Sequence, residues 1–167
     1  MSMGERYQQN LEQGVAPLLD GPPVTVTVGS PVGSMSSLFG AEALNAAGAV
    51  LGGGSPRLSG ATRGRVRQKG GKDVRLPQSF AVAVTPTSVY FFKWKPFWGR
   101  VKIKGELACL SRAGLVVQVV QRKASTAFLL VSPSAGTRAA FELGTLGFAS
   151  AKARVDAMVA ALDPEIV

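Results

Sequence analysis

The sequence predicts a mainly β domain (α+β): a seven-stranded, chiefly antiparallel barrel or strongly bent sheet, with a short amino-terminal helix and a carboxyl-terminal capping helix. Apolar residues after position 78 recur with a period of two, which is typical of strands with one buried side. The last apolar residues before Asp163 recur instead at helical spacing. A chain of 167 residues is one domain by length, so we expect a single unit over residues 1–167.

The amino end predicts a helix over residues 2–16, followed by a first strand. Ser2 and Glu5 have capping-box spacing, and Pro17 restricts the helix end. One helical face would carry Tyr7, Leu11, Val15 and Leu18. Residues 24–28 then alternate valine and threonine, which predicts a short strand with an apolar and a hydroxylated side.

Residues 29–77 lose the regular pattern, so we expect an insertion, of which residues 29–71 contribute little to the sheet. Its first half, 29–56, is rich in Gly, Ala and Ser, and two interpretations stay open: a flexible segment, or a short apolar helix within 38–51 that contacts the sheet or a partner. Its second half is basic and is either a solvent-exposed loop or an anion-binding segment. The candidate anion-binding residues there are Arg63, Arg65, Arg67, Lys69 and Lys72.

Residues 80–104 predict a β-hairpin with a basic stem and an aromatic tip. Strands over 80–84, 89–95 and 100–104 are separated by Pro- and Gly-containing turns. A four-residue turn over 96–99 would place Lys95 opposite Arg100 and Lys93 opposite Lys102.

The four hairpin cations would then share one face, just below Phe97 and Trp98 at the tip. Like charges that lie close together repel one another, and an anionic partner would relieve that repulsion. The alternative is a stripe that serves only solubility. We therefore expect Lys93, Lys95, Arg100 and Lys102 to bind an anion or lipid, and Phe97 and Trp98 to contact a membrane.

Four further segments predict strands, over residues 106–110 (continuing or restarting the preceding strand), 115–122, 126–131 and 137–143. In the last of them, alternation places Phe141 on the buried side and Arg138, Ala140 and Glu142 on a wet face. The predicted core includes Val82, Val84, Val117, Phe128, Leu130, Phe141 and Leu143. A final helix over 148–162 would bury Val155, Met158, Val159 and Leu162 on the sheet.

This order of a β-meander followed by one helix is similar to the pleckstrin-homology (PH) superfold. The segments 80–85 and 89–92 resemble a strand pair of bacterial PH-like and GRAM-like domains, and the resemblance covers about residues 24–162 without the insertion. It implies a domain that binds phosphoinositides or protein segments and is not an enzyme. It also implies a headgroup site between the loops after the first, third and sixth strands, here 29–78, 96–99 and 132–136.

The family's lipid motif has a Lys near the end of the first strand and a basic-x-Arg pair at the start of the second. Here residues 24–28 hold no Lys, and 79–85 hold no charge. Arg63, Arg65 and Arg67 match the pair only loosely, inside the insertion. The departure puts specific headgroup recognition in doubt and leaves general attraction to anionic lipid intact.

Residue types needed for catalysis and metal binding are scarce. The chain has no His, and Cys109 is its one cysteine. Its carboxylates are scattered, and neither Gly-rich stretch has P-loop spacing. We therefore expect no catalytic residues, no metal and no cofactor. The lone cysteine and the polar first thirteen residues, which carry both charge signs, indicate a cytoplasmic protein.

The net charge of +9 and a pI near 10.3 favour a polyanionic partner. The leading hypothesis is a PH-like module at an anionic membrane surface, cytoplasmic and peripheral to the inner membrane face. The second is a protein-interaction module that captures a partner on a sheet edge, or assembles with itself. The third is nucleic-acid binding, with arginines on phosphates and Trp94 and Trp98 stacked on bases.

Overall fold

The computed structural model describes residues 3–31, 65–68, 70, 72–98, 100–121, 125–144 and 151–162. Two helices lie in these residues, α1 (Met3–Val15) and α2 (Ala151–Leu162), with a turn of 3-10 helix at Ala16–Leu18. The strands described are β1 (Thr25–Gly29), β2 (Arg65–Arg67), β3 (Asp73–Arg75), β4 (Phe80–Val84), β5 (Ser88–Phe97), β6 (Arg100–Ser111), β7 (Val116–Gln121), β8 (Ser125–Ser132) and β9 (Thr137–Gly144).

The strands form two antiparallel sheets, which confirms the mainly β class. One sheet has the order β1-β4-β5-β6 and the other β3-β2-β9-β8-β7, and the described strands do not close into a barrel. The sheets meet just past the end of β1, where Ser30 and Glu142 exchange two backbone hydrogen bonds of 3.0 and 2.8 Å. The prediction of a single seven-stranded barrel or bent sheet is therefore corrected, among the described strands, to a four-stranded and a five-stranded sheet joined at this point.

A large apolar core brings together side chains of both sheets and α2. All seven core residues predicted from the alternation are buried in it: Val82, Val84, Val117, Phe128, Leu130, Phe141 and Leu143. Its aromatic centre is Phe141, whose ring stacks on Phe128 at 5.1 Å and meets Phe91 edge-on at 5.9 Å. Alternation therefore identified these seven residues correctly, because each of their strands has one side turned into the core.

The predicted carboxyl-terminal helix is confirmed as α2 within the described residues. Val155, Met158 and Leu162 are buried in the large core. Arg112, in the turn after β6, donates hydrogen bonds to the carbonyl oxygens of Thr85 (3.0 Å) and Ala161 (2.8 Å). The Ala161 carbonyl belongs to the last turn of α2, where carbonyls have no partner within the helix. Arg112 thus fixes the helix end to the β4–β5 turn.

Helix α1 packs on the opposite side of the first sheet and forms a second, smaller core. Leu11 and Val15 are buried there against Val26 and Phe92. Leu18, which the sequence placed on the same helical face, is 49% exposed. The chain leaves the α-helix for the 3-10 turn after Val15, which rotates Leu18 away, and Leu19 packs on this core instead.

The expectation that 29–71 adds little to the sheets was wrong at its carboxyl end, where β2 lies. Strands β2 and β3 form a short hairpin, and β2 pairs with β9 through Arg67 and Arg138. Val66 has no exposed surface and lies in the large core. The predicted apolar helix within 38–51 lies outside the described residues.

The predicted wet face of β9 was also wrong. Ala140 and Glu142 alternate with the core residues of β9, yet they are 2% and 1% exposed. Leu129, their neighbour on β8, is 1% exposed and belongs to neither core cluster. The alternation was misleading here because Glu142 is a charged residue that is buried, whereas charged residues are mostly exposed.

Candidate anion-binding site

The long hairpin of β5 and β6 is confirmed, but its register differs from the predicted one. Lys95 lies opposite Lys102, Phe97 opposite Arg100, and Lys93 opposite Gly105. The predicted pairs, Lys95 with Arg100 and Lys93 with Lys102, assumed a four-residue turn. The turn is two residues long, because β5 continues through Pro96 and Phe97 before the chain reverses.

Trp98 makes the short turn possible and is the most exposed large apolar residue described. Its φ of 47° lies in the left-handed region, which the first central residue of a primed two-residue turn requires. Its side chain is 90% exposed, and that of Phe97 is 48% exposed. The two rings meet edge-on at 6.5 Å. A non-glycine residue in this conformation is strained by about 1–2 kcal/mol, so the tip holds an exposed indole at some cost.

Near the start of β5, one side of the strand is turned into the large core. Farther along the strand, the same side carries the cations. Val89 and Phe91 are buried in the large core. Side chains alternate along a strand, so Lys93 and Lys95 continue the same side beyond the end of the core. Lys102 and Arg100 share that side because their cross-strand partners are Lys95 and Phe97.

Lys104 joins these residues through an irregularity in β6. Gly105 pairs with Lys93 and Ile103 with Trp94, so Lys104 is an extra residue between them. Gly105 has a φ of 150°, which glycine adopts without strain. We call Lys93, Lys95, Arg100, Lys102 and Lys104 the hairpin cluster, and all five are exposed.

The hairpin cluster is crowded enough to change the acidity of one member. The pKa of Lys104 is lowered, first by close side-chain contact with Lys95, then by desolvation and by the charges of Lys95, Lys102 and Lys93. The Nζ of Lys102 also lies 5.5 Å from the centre of the Phe97 ring. No Asp or Glu occurs between positions 74 and 105 of the sequence. The cluster is therefore a concentrated patch of positive charge.

Sequence reasoning missed Lys104. Its spacing of two after Lys102, which itself follows Arg100 by two, was the available signal, because residues at that spacing share one side of a strand.

Helix α1 holds the reverse side of the same hairpin. The indole of Trp94 meets the Tyr7 ring edge-on at 6.4 Å and donates a hydrogen bond of 3.1 Å to the hydroxyl of Ser79. Gly14 lies against Ile103: a Cβ on Gly14 would be 2.8 Å from Ile103 Cγ1. The glycine that weakens α1 as a helix is thus what allows α1 to approach β6 closely.

The other predicted anion-binding residues lie apart from the hairpin cluster or outside the described residues. Arg65 and Arg67 lie on β2, and Arg67 donates a 3.1 Å hydrogen bond to the carboxylate of Asp73. Lys72 is exposed just before β3. Arg63 and Lys69 lie outside the described residues.

The three loops implied by the family resemblance do not all lie together. The turn at 132–136 contacts Gly114, since a Cβ on Gly114 would lie 3.4 Å from the hydroxyl oxygen of Ser134. Gly114 follows β6, whereas the hairpin tip precedes it. The 132–136 turn and the tip therefore lie at opposite ends of β6.

Other polar groups near the first sheet have structural partners. Asp20 accepts a 2.8 Å hydrogen bond from the Thr87 hydroxyl, which lowers the pKa of its carboxyl. Burial raises the pKa of the Cys109 thiol, which makes that sulfur a poor nucleophile at neutral pH. In the described part of the chain, no three Cys, Asp or Glu side chains converge in a way that could hold a metal ion.

None of the described helices is both long and apolar enough to cross a bilayer. No protein-family model matches the chain, and no curated protein or solved structure shows significant similarity to it. A function for this chain must therefore be argued from its own residues.

Proposed function

We propose that this chain is a non-catalytic binding domain that associates reversibly with an anionic membrane surface through the hairpin cluster. The observation that carries the proposal is the composition of the projecting end of the hairpin. Five cations share one side of it, and two exposed aromatic residues stand at its tip. In a cell the site would be the cytoplasmic face of the inner membrane.

The charges supply most of the attraction in this proposal. Each Lys or Arg near an anionic membrane contributes about 1 kcal/mol. The whole cluster would then contribute roughly 5 kcal/mol, which corresponds to reversible association with a dissociation constant below about 1 mM. Binding would also relieve the mutual repulsion that lowers the pKa of Lys104. The partner therefore removes a cost that the free protein carries.

Trp98 and Phe97 would add an apolar contribution. Tryptophan favours the region of the lipid headgroups, where its ring is partly apolar and its N–H finds a partner. The strained φ of Trp98 keeps that ring at the end of the hairpin, ahead of the cations. An inserted tip and a stem on the headgroups would together hold the hairpin at the membrane.

We also propose that the fold is a divergent relative of the PH superfold. Support comes from the order of β1, β4 to β9 and α2, and from the backbone bonds that join β1 to β9. Helix α1 and the β2–β3 hairpin are additions to that plan. The missing lipid motif favours attraction to anionic lipid in general over recognition of one headgroup.

The test is cosedimentation with vesicles across a salt series. Reversing Lys93, Lys95 and Lys102 to Glu should abolish binding that depends on anionic lipid, because attraction becomes repulsion. The matched control reverses Arg6, Lys72 and Lys152, which are also exposed and lie outside the hairpin. Both variants lower the net charge of +9 by the same amount, so only the location of the charge differs.

A tip variant, with Phe97 and Trp98 changed to Ser, separates the apolar contribution from the charges. Attraction between exposed charges is screened over about 8 Å at physiological ionic strength, whereas apolar insertion responds weakly to salt. The tip variant should lose the salt-resistant part of binding and the charge variant the salt-sensitive part. Equal losses in the charge variant and its control would contradict a hairpin site.

A second candidate function is self-association, in which the free edge of β7 pairs with a strand of another copy of the chain. Within the described residues β7 has one neighbouring strand, β8, and it contains only Val and Gln. Edge strands of monomeric proteins commonly carry charge or Pro, which prevents pairing with other chains. Sedimentation velocity over a hundredfold range of concentration tests this function. Val120→Lys, at a residue of β7 that belongs to neither core cluster, should abolish any self-association that it reveals.

A further inference from the structure

Four arginines lie together on a surface separate from the hairpin cluster. Arg65 pairs with Arg75 across β2 and β3, and Arg67 pairs with Arg138 across β2 and β9. Directly opposed residues project from the same face, and residues two apart on a strand do so as well. We call Arg65, Arg67, Arg75 and Arg138 the arginine cluster. Val66, between Arg65 and Arg67 on β2, lies on the opposite side of the strand and is buried in the large core.

The arginine cluster already holds one carboxylate. Arg67 Nε donates to Asp73 Oδ1 at 3.1 Å, and the Arg67 side chain is 41% exposed. That hydrogen bond lowers the pKa of Asp73. Desolvation acts in the opposite direction, and the charges of Arg67, Arg65 and Arg138 lower the pKa further. Arg67 therefore contacts an anionic oxygen directly, and the charges of Arg65 and Arg138 act on the same carboxylate.

One carboxylate leaves most of this charge unbalanced. Four arginines and Asp73 carry a net charge of +3, and Arg65 and Arg75 are like charges directly opposite each other. The patch is about 10 Å wide across three strands and about 7 Å long, so it matches a compact anion better than an extended polymer. A phosphate monoester carries a charge of about −1.5 to −2 at pH 7, and its oxygens accept paired guanidinium hydrogen bonds.

We propose that the arginine cluster is a binding site for a phosphate monoester, supplied by a small soluble molecule or by a lipid headgroup. The ligand would lie beside Asp73, with Arg75 and Arg138 on either side of it. Several planar guanidinium groups make the site selective for phosphate geometry, whereas four of the five cations of the hairpin cluster are lysines. The site is independent of the proposed membrane function, because a ligand in solution reaches it without the hairpin.

The test is a titration with inorganic phosphate, observed at the Nε–H resonances of the arginine side chains by NMR. Resonances of Arg65, Arg75 and Arg138 should shift and saturate, whereas the same ionic strength of sodium chloride should not saturate them. Arg6, an exposed residue of α1 outside both clusters, is the internal control and should shift little. The variant Arg75→Gln with Arg138→Gln should bind at least about tenfold more weakly, since each lost charge-assisted hydrogen bond costs that order of affinity.

A charge-preserving variant guards against a general electrostatic effect and against misfolding. Arg75→Lys with Arg138→Lys keeps the charge and loses the paired donors, so it should bind phosphate almost as weakly as the Gln variant. The methyl resonances of Val66 should stay unchanged in both variants, because that residue reports the core beneath the site. Wild-type affinity in the Lys variant, or shifts that never saturate, would overturn the proposal.

Two further arms identify the source of the phosphate. Glycerol phosphate in solution is compared with vesicles that contain phosphatidate, a monoester, or phosphatidylglycerol, a diester. Saturable binding of glycerol phosphate assigns a soluble ligand. A headgroup is assigned if the wild type prefers phosphatidate, the Gln variant loses that preference, and the control Arg6→Gln with Lys152→Gln keeps it. Arg6 and Lys152 are exposed and lie outside both clusters. If neither monoester binds more tightly to the wild type than to the Gln variant, the arginine cluster is not a phosphate site.

Discussion

The two halves of the β5–β6 hairpin use one strand geometry for opposite purposes. In the half near the sheet, Val89 and Phe91 are buried in the large core on one side of β5, and Phe92 is buried against α1 on the other. In the projecting half, α1 still covers one side through Trp94, while the other side carries exposed cations and, next to the tip, the half-exposed Phe97. The change occurs within two residues, between Phe91 and Lys93.

This difference shows how a charged surface can be added without weakening the fold. Cations on both sides of an unsupported hairpin would leave it without apolar packing, and a two-stranded hairpin alone is marginal in water. Packing of Tyr7 and Gly14 on Trp94 and Ile103 supplies the missing support from one side. The free side can then carry charged residues that the packing of the hairpin does not require.

The largest expected effect of a single substitution on the free energy of unfolding is in the buried half of the β5–β6 hairpin. Phe91→Ala should lower the free energy of unfolding by about 3–5 kcal/mol, because it empties space next to Phe80 and Phe141. Lys93→Ala, two residues along the same side, should change it by less than about 0.5 kcal/mol. Urea unfolding of both variants measures the contrast. Comparable losses would mean that the projecting half is part of the cooperative core.

An intermediate effect on stability is expected where α1 supports the projecting half of the hairpin. Gly14→Ala should destabilise the protein by about 1–3 kcal/mol, because the new Cβ would lie 2.8 Å from Ile103 Cγ1. In an Ile103→Ala background the same substitution should instead stabilise, by up to about 1 kcal/mol, since Ala is the better helix former. A double-mutant cycle measured by urea unfolding decides this, and the same sign in both backgrounds would show that α1 does not pack there.

The smallest effect on stability is expected at Lys104, with a larger effect on binding. Its pKa is lowered in the folded protein, so the charged form disfavours folding at neutral pH. That penalty should fade as pH rises through the lowered pKa towards the ordinary value of 10.5, because the folded state then releases its proton first. Lys104→Gln should therefore raise stability slightly at pH 7 and weaken binding to anionic vesicles.

Thermal unfolding of the wild type and Lys104→Gln at pH 7 and pH 10 checks the sign. The two melting temperatures should lie closer together at pH 10. A lower melting temperature for the variant at pH 7 would show that Lys104 stabilises the fold instead of straining it.

Periodicity predicted the core and the position of the cations, but not the details that depend on tertiary contacts. Phe141 and Met158 were predictable because strands and helices repeat with fixed periods. The two-residue turn was not, because it requires a left-handed Trp98, and tryptophan gives no signal for that conformation. Strands β2 and β3 are three residues each, too short for a pattern to stand out, and β2 pairs with a distant strand, β9.

The most direct test of the central claim is the fluorescence of Trp98 in the presence of vesicles. Trp94→Phe leaves Trp98 as the one tryptophan and keeps an aromatic ring against Tyr7. At low salt, vesicles with anionic lipid should shift the emission of this variant to the blue, and brominated lipid in those vesicles should quench it. With neutral vesicles the spectrum should remain that of an exposed indole. An unchanged spectrum with anionic vesicles at low salt would contradict a membrane site at the hairpin tip.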